Sequence, residues 1–371
     1  IVHSRRSFLR SDSPRGDDVS LRYPAGTQAA FFVQLPAHSE TLSGRDTNER
    51  LMDFRKIVFI PSADNLQQAG VLRLRQLVAP HTEVEVFEPV YDPHLEALPA
   101  RDISRLEALR DGIVEERLRR AEALAEALRG LDINASAAAT WDYPLFECVV
   151  RRVLETDADL VVTEPLSGRA GALSNSDWRL ISASPASVLL VNTDGRKKYE
   201  NIVAAVDPFH AHAKPAELDS EILDQATAVE TLTGATLSVV HCFLPLTSVG
   251  SGLVAEHLPI DDAEAELERF RRDKVNELVA DAGLDSSIAK LVRGRPADKL
   301  LDLAASGEAD LIVMGALSRG RLRDLILGST AERLVNQVHA DVLIVKPPGF
   351  ETSVGHTVRD ELLLSPIQYP F

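Results

Sequence analysis

Five small or hydroxyl-bearing residues carry the most suggestive chemistry in this sequence. Gly315, Ser318, Gly328, Ser329 and Thr330 lie in MGALSRGRLRDLILGST, residues 314–330. An apolar run leads into the segment and a helix start leads out of it. Small residues at such positions let backbone amides approach a phosphate, and the last pair would offer them from a helix N-terminus. Arg319, Arg321 and Arg323 outnumber Asp324, so the segment is locally cationic. The same residues also support a reading without ligand. Ser329 and Glu332 have the spacing of a capping box, which bonds the helix amides to the helix's own side chains. Ser318 adds a side chain where amides would have to come close and restricts a positive φ.

A second cluster follows the apolar run IVAAV. Asp207, His210 and His212 can share one face of an extended segment and so ligate zinc. Two histidines without a clear third ligand also suit a polar loop that holds no metal. His241 ends another apolar run and reads as a hydrogen-bonded rim histidine. Cys242 beside it reads as packing, with nothing to lower its pKa.

These residues must be positioned by the elements around them. RKIVFIPSAD (55–64) resembles ENIVAAVDPF (200–209), and ADLVVTEPLSG (158–168) resembles ADLIVMGALSR (309–319). The offset is one domain length, which makes this a duplicated domain rather than a short-period array. In each copy, short apolar runs alternate with helical stretches, the pattern of a parallel sheet covered on both faces. Gly283 reads as a helix stop and Pro296 as a helix start. The long helix across 101–131 carries Leu106, Leu109, Ile113, Leu124 and Leu128 as a core-facing stripe. Ligands of such a sheet bind beyond its C-terminal strand ends, which here are Asp207 and Met314-Gly315.

The chain has 371 residues, 45% of them hydrophobic and 26% charged, with a formal net charge of −16. That acidity disfavours nucleic acid and anionic membranes as partners. No apolar run is long enough to span a membrane, and the two cysteines, Cys148 and Cys242, imply no disulfide framework. A cytoplasmic location is expected. Residues 1–51 lack periodicity and read as a disordered extension or a mis-called start ahead of Met52. Two domains follow, 52–196 and 197–348, with a tail over 349–371 whose LLLSPIQYPF end is apolar enough to lie along a domain surface.

The motifs resemble the universal stress protein superfamily, and in particular its tandem E-type. The resemblance rests on Val206-Asp207, Gly294-Arg295-Pro296-Ala297, Ala309–Gly315, Gly328-Ser329-Thr330-Ala331-Glu332 and the closing VLIVKP. Trp141-Asp142-Tyr143-Pro144, Asp177-Trp178 and DPFHAHAKPAELD are similar to the E-type. It implies an α/β fold of two tandem domains, each a five-stranded parallel sheet with helices on both faces, in strand order 3-2-1-4-5, related by a pseudo-twofold axis. It implies ATP or AMP, with Mg, in the second domain: Asp207, Leu237, Met314 and Gly315 toward the adenosine, Ser318, Gly328, Ser329 and Thr330 toward the phosphates. Measured against G-x2-G-x9-G-[S/T], Ser318 replaces the middle glycine. In the first domain Glu164 stands where Gly315 does, and Asp177-Trp178 stand where Gly328-Ser329 do, so that domain is expected to have lost the site. Relatives dimerise through strand five, which here implies an internal pairing of Val188–Val191 with Val342–Val345 and leaves a further homodimer open. The expected function is a non-catalytic stress-response sensor or adaptor. A slow ATPase, and a structural protein that binds an apolar ligand and no nucleotide, stand beside it.

Overall fold

The computed structural model describes residues 54–62, 65–96, 103–164, 173–192, 198–209, 217–246, 260–315 and 329–356. These belong to one compact unit. The expectations for residues 1–51, for Ser318 and Gly328, and for the apolar end of the tail lie outside the described residues.

The first half runs β1 (Lys56–Ile60), α1 (Ala69–Leu77), β2 (Glu83–Val90), α2 (Pro93–Glu96), α3 (Ile103–Arg129), β3 (Asn134–Trp141), α4 (Leu145–Thr156), β4 (Leu160–Thr163), α5 (Asn175–Ala183) and β5 (Ser187–Leu190). The second runs β6 (Asn201–Ala205), α6 (Glu217–Thr233), β7 (Thr236–Phe243), α7 (Ile260–Asp281), β8 (Ala289–Arg293), α8 (Pro296–Ala305), β9 (Leu311–Gly315), α9 (Ser329–Gln337) and β10 (Asp341–Val345). Local chemistry sets several of these limits. Pro296 opens α8 at the position where a missing N–H costs nothing. Gly283, at φ +76°, takes the left-handed turn that follows α7.

All strands join one sheet in the order β3-β2-β1-β4-β5-β10-β9-β6-β7-β8. Each half is parallel within itself and keeps the order 3-2-1-4-5. The halves meet where β5 and β10 run antiparallel, Val188 opposite Ile344 and Leu190 opposite Val342. The strands at this junction are buried on both faces, as expected of a sheet covered on both sides. One core lies on each face and continues across the junction. Val71 and Leu74 of α1 share the first with Ile222 and Ala226 of α6. Val149 and Ile181 share the second with Leu334 of α9. The stripe on α3 is buried only in its C-terminal half. Leu124 and Leu128 are buried, whereas Leu109 is 44% exposed. A 27-residue helix is about 40 Å long, while the eight-residue strands β2 and β3 span about 26 Å, so the helix outruns the sheet it covers.

A buried polar cluster ties the halves together. The Asp341 carboxylate accepts from Arg73 Nε, from Tyr199 Oη at 2.7 Å and from Asn192 N at 2.8 Å. Arg73 and Tyr199 come from α1 and from the segment before β6, and the arginine lies over the tyrosine ring at 5.1 Å. Burial beside the carboxylate pushes the Tyr199 phenol well above its ordinary pKa, so it stays a donor. Asn192 Nδ2 also donates to Val338 O at 3.0 Å, just past the end of α9.

Removing one member strands the others. Asp341→Ala should cost about 3–5 kcal/mol in urea unfolding, because it leaves Arg73 charged and buried without its partner. Replacing both, as Arg73→Met with Asp341→Leu, should recover most of that loss. Equal destabilisation by the single and double variants would show that the pair is not the source.

Candidate functional site

The two halves present their C-terminal strand ends as two separate mouths. In the second half β6 ends at Ala205, which pairs with Met314 on one side and Val240 on the other. Asp207 therefore emerges beside Met314-Gly315 and His241. Its amide donates to Asp219 Oδ1 at 3.1 Å, in the first turn of α6. Its own Oδ1 accepts from Phe209 N at 3.4 Å, a short turn that leaves the residue half-buried at the rim. His241 Nδ1 lies 3.1 Å from Val206 O, so Nδ1 is the protonated nitrogen and holds the ring against the strand end. Burial pushes the imidazole pKa below 6.5. Phe209 lies 5.3 Å from the His241 ring and 5.8 Å from Phe270, which α7 contributes and which is 51% exposed. An aromatic wall thus stands beside a carboxylate at the mouth. The sequence offered only a faint signal for Phe270, one aromatic in the polar run ERFRRD.

Gly315 has a structural reason of its own. A Cβ there would lie 2.6 Å from Leu218 Cδ2 and 2.8 Å from its Cγ, and both Leu218 and Ile222 of α6 are fully buried. The helix packs directly on the strand's backbone, so no side chain fits. The consequence at the mouth is a strand end with no side chain.

The first half is different. Glu164 occupies the place of Gly315 and is buried. Its Oε1 accepts from Gly70 N at 2.8 Å, in the first turn of α1, and its Oε2 from Ser62 Oγ at 2.5 Å. Ser62 N donates to Gln68 Oε1 at 3.1 Å. The carboxylate thus takes a helix N-terminal amide and the hydroxyl at the strand end, partners that an anionic ligand would seek. The next helix is also closed on itself. Ser174 Oγ accepts from Asp177 N at 3.2 Å, and Asp177 Oδ2 accepts from Ser174 N at 2.7 Å. The pairing of Asp177-Trp178 with Gly328-Ser329 needs correcting. The two helices start at Asn175 and at Ser329. Counted back from those starts along the sequence, Ser174 corresponds to Gly328, and the first-half segment is three residues shorter. Asp177 is a cap partner, and Trp178 packs against the core.

Of the residues singled out in the sequence, Asp207, Met314 and Gly315 come together at the second mouth. Leu237 does not join them. It pairs with Ile202 and is buried in the core, four residues or about 13 Å before His241 along β7. The mouth falls instead at Val240 and His241, because the register of β6 with β7 decides which residue reaches it. Ser329 and Thr330 begin α9, but their side chains, like Ser318, Gly328, His210 and His212, lie outside the described residues. Among the described residues, no group of three or more His, Cys, Asp or Glu is placed to hold a metal. Both cysteines are free; burial raises the Cys242 thiol to about 11 and pushes Cys148 higher still.

A model of the Universal stress protein family matches residues 198–346, from before β6 to the end of β10. A universal stress protein of Thermus aquaticus is 35% identical over 149 residues, covering 40% of this chain and 99% of its own length. The chain belongs to the universal stress protein family. Universal stress protein E of Salmonella typhi is 23% identical over 290 residues, 75% of this chain and 90% of its own, which makes the arrangement that of the tandem E-type. The likeness extends to a solved structure of a functionally unknown protein from Pseudomonas aeruginosa PAO1. It has TM-score 0.60 and 20% identity, and covers 81% of this chain and 95% of that one. No helix among the described residues is long and apolar enough to cross a membrane.

The burial of His241 should give this universal stress protein a pH-dependent stability. Its folded pKa lies below the unfolded value of about 6.5, so the unfolded chain takes up the proton that the folded chain refuses. Stability should be full above that value and fall as pH drops toward the folded pKa. Urea midpoints between about pH 7.5 and about pH 5.5 should decline less in His241→Gln than in the parent. An identical decline in both would assign the loss to other groups.

Proposed function

We propose that this chain is a non-catalytic stress-response sensor or adaptor whose second half alone binds an adenine nucleotide, ATP or AMP. One observation carries the restriction to the second half. Glu164 fills the first mouth with a carboxylate bonded to Gly70 and Ser62, and the corresponding position of the second mouth, Gly315, has no side chain. A nucleotide's phosphates would meet a buried negative charge in the first half and bare backbone in the second. In this reading Asp207 bonds to ribose hydroxyls and the base lies against Phe209, whose ring rests on the buried His241. Family membership supports a stress-response role. The proposed setting is the cytoplasm, with the nucleotide as signal rather than substrate.

Calorimetric titration of ATP with Mg should give one site per chain. Asp207→Ala should weaken it by about tenfold, the worth of hydrogen bonds to a charged group. Glu164→Gln should leave the stoichiometry at one, because a glutamine side chain of the same size still fills the strand end. Release of phosphate from ATP above the protein-free rate would replace this reading with a slow ATPase. Absence of any binding would favour the structural role with an apolar ligand.

A further inference from the structure

The junction of β5 and β10 has two ends related by the pseudo-twofold axis, and they are built differently. The register equates Ser187 with Asp341 and Asn192 with Lys346. The parallel pairings of β1 and β6 likewise equate Phe54 with Tyr199. Matching buried stripes, Val71, Leu74 and Leu77 on α1 with Leu223, Ala226 and Val229 on α6, equate Arg73 with Gln225. At one end Arg73, Asp341 and Tyr199 form the closed cluster described above. At the other, the smaller and neutral Gln225, Ser187 and Phe54 leave a pocket of about 580 Å³, within the range of small-molecule sites.

Lys346 lines this pocket and is 5% exposed. Its Nζ donates to Ile181 O in the last turn of α5 and lies 5.5 Å over the Phe350 ring. An ammonium has three donors, and that bond uses one. No carboxylate among the described residues pairs with it. Burial accordingly pushes its pKa down to about 7. The end that holds Lys346 thus lacks the anion that Asp341 supplies at the other.

We propose that this pocket binds a small organic monocarboxylate, with Lys346 as its cationic anchor. The ligand's carboxylate takes the role that Asp341 plays at the closed end, and its apolar body lies against Phe54, Pro185, Pro347 and Phe350. A single negative charge matches the site. Asp159 and Glu221 also line the pocket, and their carboxylates oppose a second negative charge on the ligand. Arg55 and His81 also line it; both are exposed, and Arg55 lies 3.7 Å from Asp159.

Benzoate is a suitable probe, titrated into the full chain by calorimetry without nucleotide at about pH 6, on the acid side of the lowered Lys346 pKa. Saturable binding of one benzoate per chain is expected, at least about tenfold weaker in Lys346→Met. Benzamide, with the same shape and no charge, should not saturate. Ser187→Asp, which supplies an internal carboxylate and leaves Lys346 in place, should abolish binding in a chain whose circular dichroism and unfolding midpoint show it folded. Absence of saturable binding by the parent, equal affinity in Lys346→Met, or equal affinity for benzamide would overturn the assignment.

Discussion

The carboxylate of Asp341 is the interaction on which the two-part architecture turns. It sits at the start of β10, wholly buried, and receives donors from α1, from Tyr199 and from Asn192, two residues past β5. A charge so placed is tolerated only because its partners are fixed. Those partners belong to both halves, so neither half is complete alone at this point. The antiparallel pairing beside it consumes two strand edges that would otherwise invite association. It also sets direction. Because β5 and β10 run opposite ways, the two mouths open at opposite ends of one sheet.

Duplication gave each half the same frame, and side-chain replacements have separated their uses. In the first half a glutamate folds back onto a helix N-terminus, and a capping box closes the next helix. In the second, Gly315 keeps the strand end bare because Leu218 leaves no room for a Cβ. The same glycine therefore answers two demands: helix packing requires it, and a ligand would benefit from it. A glycine motif of this kind is evidence for a site only together with what stands around it, here Asp207 and the aromatic wall.

Much of this was legible in the sequence. The alternation of apolar runs and helices gave the parallel sheet, and Gly283 and Pro296 marked helix limits by backbone chemistry alone. The family resemblance supplied the strand order and the pairing of Asp207 with Met314-Gly315. What escaped depended on register or on approach through space. Leu237 was misplaced because only the pairing of β6 with β7 tells which residue reaches the mouth. Asp177 was misassigned because counting from Glu164 assumed equal loops, and the first is shorter by three residues. The outer half of the α3 stripe faces solvent because the helix is longer than the strands beneath it. Lys346 closes an ordinary VLIVKP strand, and nothing local reveals that elements of the other half bury it.

One duplicated frame thus ends in a strand without a side chain at Gly315 and in a strand filled by a carboxylate at Glu164. A crystal structure of the full chain with ATP and Mg tests that difference most directly. Nucleotide density is expected beside Asp207 and Gly315, with Glu164 still bonded to Gly70 and Ser62. Density at Glu164, or an empty second mouth under saturating ATP, would contradict it.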